Sequence, residues 1–173
     1  LRDADDPSSV VERRAGLLQC DGAITGLDGT SPLGFCSIAG NYFVAVRHRN
    51  HLGCMTNAAL ALSSVPTAVD FSLPATATYG SAARKSEGAV MVLWSGNVNA
   101  NSTVSYTGGG NDRDPILQAI GGSPATGTAT GYLGADVNLD GTVRYTGSAN
   151  DRDPILSNIG GNVPSAVVSE QLP

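Results

Sequence analysis

Asp136, Asn138 and Asp140 set an oxygen-bearing side chain at every second residue, and Gly141 follows at once. On a tight loop such alternate side chains turn to one side, where their oxygens converge on a hard divalent cation of the calcium type; the glycine permits the sharp bend. Thr142 stands next, where a backbone carbonyl adds a further oxygen. The pattern recurs at an offset of 39 residues: Asn97, Asn99 and Asn101 hold the same places, with Ser102 for the glycine and Thr103 after it. Asparagine carbonyls also ligate calcium, but the lower formal charge predicts weaker binding at the first copy.

The two loops open a repeated block. Residues 97–122 and 136–161 align without a gap, and 17 of the 26 positions are identical. An EF-hand loop closes with an acid at its twelfth position, but that position falls here on Gly108 and Gly147. The acids come slightly later, in Asn111-Asp112-Arg113-Asp114 and Asn150-Asp151-Arg152-Asp153. If about four residues bulge out, Asp112 and Asp151 close the sites, and Asp114 and Asp153 cap the helices that follow. The reverse assignment, with Asp114 and Asp153 as closing ligands, stands beside it. Either way a short helix is expected from Pro115 and from Pro154. Its apolar face is Ile116, Leu117 and Ile120 in one copy, Ile155, Leu156 and Ile159 in the other, and paired glycines end it.

A pair of calcium loops, each followed by one helix, resembles the dockerin module of bacterial extracellular proteins, over about residues 94–161. The whole chain also resembles the C-terminal region of secreted or cell-surface proteins of Bacteroidetes-type bacteria, through "YFVAVRHRNHLGCMT", "GAVMVLWSGNVN" and the two "NDRDPIL" runs. These resemblances imply two bound calcium ions, an extracellular or surface location, and a non-enzymatic role. They also imply a β-bridge between Val104 and Val143 at the eighth loop positions. By the same analogy Gly88–Trp94 is expected to be helical. Dockerins dock through an exposed Ser-Thr pair at loop positions 10 and 11. Here those positions are Tyr106-Thr107 and Tyr145-Thr146, a departure from that pattern.

Composition agrees with a secreted protein. Charged residues are only 14%, lysine occurs once, and the net charge is −5, which argues against nucleic acid as a partner. No run of residues approaches the length of a membrane helix. The abrupt opening Leu1-Arg2-Asp3 reads as a processing or truncation point inside a larger precursor. Asn101-Ser102-Thr103 is formally a glycosylation sequon, but Asn101 is a candidate ligand and is expected to stay unmodified.

The first half reads as all-β. Short apolar runs at Val10–Leu18, Ile24–Leu27, Leu33–Ile38, Tyr42–His48, Ala59–Leu62 and Ala68–Leu73 are separated by Gly and Asp-Gly punctuation. The pattern predicts an antiparallel β-sandwich over residues 1–87, with a loose polar linker from Pro74 to Glu87. The "AGNYFVAVRH" hairpin resembles that of transthyretin-like domains, which implies a sandwich of transthyretin-like or Ig-like kind. A duplicated calcium-binding domain follows over 88–173. With so few apolar residues, that half is expected to need its ions for stability and to melt before the β-half when they are removed.

Other chemistry is sparse. His48 and His51 have His-x-x-His spacing without further ligands in view, and a polar strand end is the favoured reading. Cys20, Cys36 and Cys54 permit one disulfide at most, its pairing open. No nucleophile elbow or phosphate loop is present. The reading is a calcium-stabilised structural or adhesive module, a subunit of a surface fibre or filament, with other copies of itself or cell-surface proteins as partners. The alternative is an ancillary dockerin-like domain that tethers a secreted enzyme. The segments Leu1–Asp5 and Val163–Leu172 are the expected donors if copies pair by strand addition.

Overall fold

The computed structural model describes residues 1–173. The chain is mainly β, in small antiparallel sheets with only two short helices. More than half of its backbone hydrogen bonds, 33 of 57, lie outside strands and helices. Turn geometry therefore fixes the shape as much as sheet pairing does. No helix is long and apolar enough to cross a membrane.

Nine strands precede the first loop: β1 Arg2–Asp3, β2 Leu17–Leu18, β3 Ile24–Thr25, β4 Gly40–Phe43, β5 Ala45–Val46, β6 Cys54–Met55, β7 Leu60–Leu62, β8 Lys85–Glu87 and β9 Val90–Val92. β4 is central to a three-stranded sheet with β1 and β7 on its flanks. The pairs β2–β3, β5–β6 and β8–β9 are separate two-stranded ribbons. The expected strand through Tyr42–His48 breaks at Val44, whose N–H donates to the Thr56 hydroxyl at 3.2 Å while its carbonyl accepts the Thr56 N–H at 3.0 Å.

Several expectations for this half are corrected. Ala68–Leu73 and Leu33–Ile38 form no strand. Gly88–Trp94 is not helical: Val90–Val92 is the second strand of a hairpin, as its β-branched residues favour. Nor is Pro74–Glu87 a loose linker throughout. Arg84 is buried, and its guanidinium donates to the carbonyls of Phe71, Leu73 and Thr76, which pins the preceding loop. No residue from Asp3 to Arg49 is buried, so the core lies elsewhere.

The repeats supply β10 Thr103–Ser105, α1 Arg113–Ala119, β11 Thr128–Thr130, β12 Thr142–Arg144, α2 Arg152–Asn158 and β13 Val167–Ser169. The expected Val104–Val143 bridge does not form. Val104 pairs with Val168 in β13, and Val143 pairs with Ala129 in β11. The pairing is reciprocal. The strand after each helix joins the loop strand of the other repeat, in the same register under the 39-residue offset. The structural unit is thus residues 97–130 and 136–169, longer than the block of sequence identity. Each helix also packs on the other repeat's loop strand, α1 on β12 and α2 on β10.

Burial follows from this exchange. Val104, Ile116, Val137, Val143, Ile155 and Ile159 form one core with Ala135, and Leu52 enters it from the first half. Ile120 and Leu156 pack partly against it, whereas Leu117 stays outside. Both expected strand donors are engaged within the chain: β1 pairs with β4, and β13 with β10.

Candidate metal centre

The two loops fold alike down to their backbone signs. The fourth and sixth positions are left-handed in both, at Ala100 (φ 57°) and Ser102 (φ 67°), then at Leu139 (φ 63°) and Gly141 (φ 84°). Only glycine adopts this region without steric cost, so Ser102 is the strained counterpart of Gly141. These turns bring the side chains at positions 1 and 3 onto the amide of position 5, whose own side chain, Asn101 or Asp140, is exposed. The Asn101 N–H donates to Asn97 Oδ1 at 3.1 Å and to Asn99 Oδ1 at 3.0 Å. Likewise the Asp140 N–H donates to Asp136 Oδ1 at 3.1 Å and to Asn138 Oδ1 at 2.9 Å. The first two side-chain oxygens of each loop therefore converge on one point. Asn101 and Asp140 in turn accept the N–H of Thr103 (2.9 Å) and Thr142 (2.8 Å).

Asp112 and Asp151 sit just before the helices and are fully buried. Each stands at the N-cap position of its helix but makes no side-chain capping hydrogen bond. Each instead reaches back to staple the loop entrance to the loop strand. Asp112 accepts the N–H groups of Val98 (2.8 Å), Asn99 (3.3 Å) and Ser105 (2.8 Å). Asp151 accepts those of Val137 (2.6 Å), Asn138 (3.1 Å) and Arg144 (2.7 Å). Burial pushes both carboxyls above the usual carboxylate range, and the backbone hydrogen bonds offset this only in part. A nearby cation would favour their charged form.

The helices begin at Arg113 and Arg152, two residues before the prolines, because the first-turn amides need no helical partner and proline fits there. The expected capping role of Asp114 and Asp153 falls to their neighbours. Asn111 Oδ1 accepts the N–H of Arg113 (3.1 Å) and Asp114 (3.0 Å), and Asn150 Oδ1 accepts that of Asp153 (3.0 Å). Asp114 and Asp153 are exposed, and each accepts a hydrogen bond from that same asparagine. Asp153 shares one open concavity with Asn138, Asp140 and Asn150.

A carbonyl in the bulge went unnoticed in the sequence. Asn99 Nδ2 donates to Gly110 O at 2.6 Å, and Asn138 Nδ2 donates to Ala149 O at 2.7 Å. Gly110 and Ala149 are equivalent under the offset, and both are left-handed (φ 71° and 55°), which turns the carbonyl toward the loop. The donor set is thus oxygen only: side chains at positions 1, 3 and 5, bulge carbonyls, and flanking carboxylates. No cluster of three or more His, Cys, Asp or Glu is present, because the loops use asparagine and backbone oxygens in place of acids. Oxygen-only, turn-built loops with converging side chains fit calcium rather than a softer metal.

The loops differ in charge. In the second, Arg144 Nη1 meets Asp140 Oδ2 at 2.8 Å and Arg49 Nη2 lies 3.7 Å from Asp136 Oδ2. The first has asparagine at the places of Asp136 and Asp140, and Ser105 at the place of Arg144. At loop positions 10 and 11 the side chains make contacts within the chain, although both threonines are exposed. Tyr106 and Tyr145 lie 5.2 Å from the guanidinium carbons of Arg113 and Arg152. The Thr107 and Thr146 hydroxyls donate to Pro164 O and Ala125 O, again a repeat-equivalent pair.

The segment His48–Leu52 also approaches both loops. Asn50 bonds to each entrance, Arg49 stacks 4.1 Å over the Tyr132 ring, and the Leu52 N–H donates to Trp94 O at 2.8 Å. The His-x-x-His spacing brings the two rings together, with Nδ1 atoms 3.2 Å apart. All three cysteines are free thiols, Cys20 and Cys36 exposed and Cys54 buried, where burial pushes its thiol up to about 11. No protein-family model matches the chain, and no curated protein or solved structure matches it.

Proposed function

We propose that this chain is a non-enzymatic, extracellular structural module whose second half is clamped by two calcium ions. Asn97, Asn99, Asn101 and the Thr103 carbonyl would hold one ion, and Asp136, Asn138, Asp140 and the Thr142 carbonyl the other. Asp112 or Asp114, and Asp151 or Asp153, would complete each shell. The convergence of the first- and third-position oxygens on one point, in both loops, is the observation that carries this reading. Calcium would supply the counter-charge that buried Asp136 and Asp151 otherwise find only in Arg49 and backbone amides. The loop–helix units are then a dockerin-like pair, with a reduced sandwich ahead of them.

The same reading makes the first half a surface that other copies or cell-surface proteins cover. Leu17, Leu18, Ile24, Leu27 and Ile38 are exposed there, and residues 3–49 bury nothing. A surface fibre or filament is the form of assembly proposed. Electron microscopy of native material, with and without a calcium chelator, tests it. Fibres in calcium that fray on chelation are expected; monodisperse particles in both conditions contradict the structural role.

A further inference from the structure

We infer that Asn50 couples the two loops, so that an ion in one raises the affinity of the other. The inference rests on the calcium reading and adds the means by which the sites communicate. Asn50 belongs to neither repeat, yet it touches the first residue of both loops. Its carbonyl accepts the N–H groups of Gly96 and Asn97, each at 2.9 Å. Its side-chain Nδ2 donates to Gly134 O at 2.8 Å and to Asp136 O at 2.7 Å.

The side chain is retained for those two donors. Asn50 is 1% exposed, and its Oδ1 is buried with no hydrogen-bond partner, a costly arrangement if the acceptor were its purpose. A short turn carries the residue. The His51 N–H donates to His48 O at 2.7 Å and closes the turn, Arg49 is left-handed at φ 22°, and Leu52 is fixed in the shared core. One short segment therefore sets the position of both entrances.

An ion at either loop must order the residue at position 1 and, through it, Asn50. The second ion then meets an entrance already ordered, and the ordering cost is shared. Coupling of this kind is reciprocal and typically alters affinity by about 5- to 150-fold. Asn50 is a positioning residue here and touches no ion.

Calcium titration of the full chain, followed by NMR at the Ser102 and Gly141 amides, reads each loop separately. In the wild type both reporters should move together with a Hill coefficient above 1. Asp136→Ala should weaken binding at the first loop at least about fivefold, although that loop is untouched. In the Asn50→Ala background the same substitution should leave the first loop unchanged, which closes a double-mutant cycle. Asn50→Ser provides a milder second variant if Asn50→Ala fails to fold. Binding at both loops with no effect of Asp136→Ala on the first would overturn the coupling alone, as would an effect that persists without Asn50. The absence of calcium binding at either loop would overturn the calcium reading and the coupling with it.

Discussion

His51 sits in the turn that presents Asn50, its ring against that of His48 with centroids 4.8 Å apart. Burial, then the neighbouring charges of His48 and Arg49, lowers its pKa to about 4 from an ordinary value of 6.5. The unfolded chain therefore takes up this proton first. Stability should be unaffected above pH 6.5, fall as pH drops from 6.5 toward 4, and level off below, by at most on the order of 3 kcal/mol. Thermal midpoints of the wild type and His51→Gln across that range test this, with a smaller acid-side loss expected in the variant, where only His48, also lowered by burial, remains. The sequence was informative about the loops themselves, because alternate oxygens and a glycine are a local pattern that the backbone reproduces in both copies. It was silent on Asn50, Arg49 and the Gly110 and Ala149 carbonyls. Their roles depend on backbone conformation and on contacts between residues more than 80 positions apart.

Within the helices, the apolar residues of the identical "DPIL" runs do unequal work. Ile116 is fully buried in the shared core, whereas its neighbour Leu117 stays outside. Ile116→Ala should cost about 2–5 kcal/mol, and Leu117→Ala much less. Chemical denaturation of the two variants separates them, and equal losses would contradict the packing described. Helix existence was legible from the apolar spacing, and the helix start was missed by two residues because Asn111 and Asn150, not the acids, do the capping. The strands β11 and β13 were invisible to repeat comparison. Residues 123–130 and 162–169 share no identity, yet both present alternating side chains that complete the other repeat. Pairing of each loop strand within its neighbour's tail, rather than with the other loop strand, follows from that exchange.

Across the whole chain, the division at residue 87 conceals a shared core. Leu52 lies among the repeat residues, the Arg47 guanidinium pairs with Glu170, and the Arg2 guanidinium donates to Pro173 O. The repeat boundary suggested two units, and the alternating strands of the first half suggested a core there. Short strands and exposed apolar residues leave that half with few buried apolar side chains, chiefly Leu52, Cys54, Met55 and Ala83. Unfolding monitored by calorimetry should therefore show one cooperative transition, shifted down on chelation, rather than early loss of the second half alone. Leu52→Ala should lower that transition at a cost of about 2–5 kcal/mol. Isothermal titration of the chelator-treated chain tests whether the two loops bind calcium. Two calcium ions per chain are expected, falling to one saturable site in Asp136→Ala; an absence of saturable calcium binding in the wild type would contradict the proposed function.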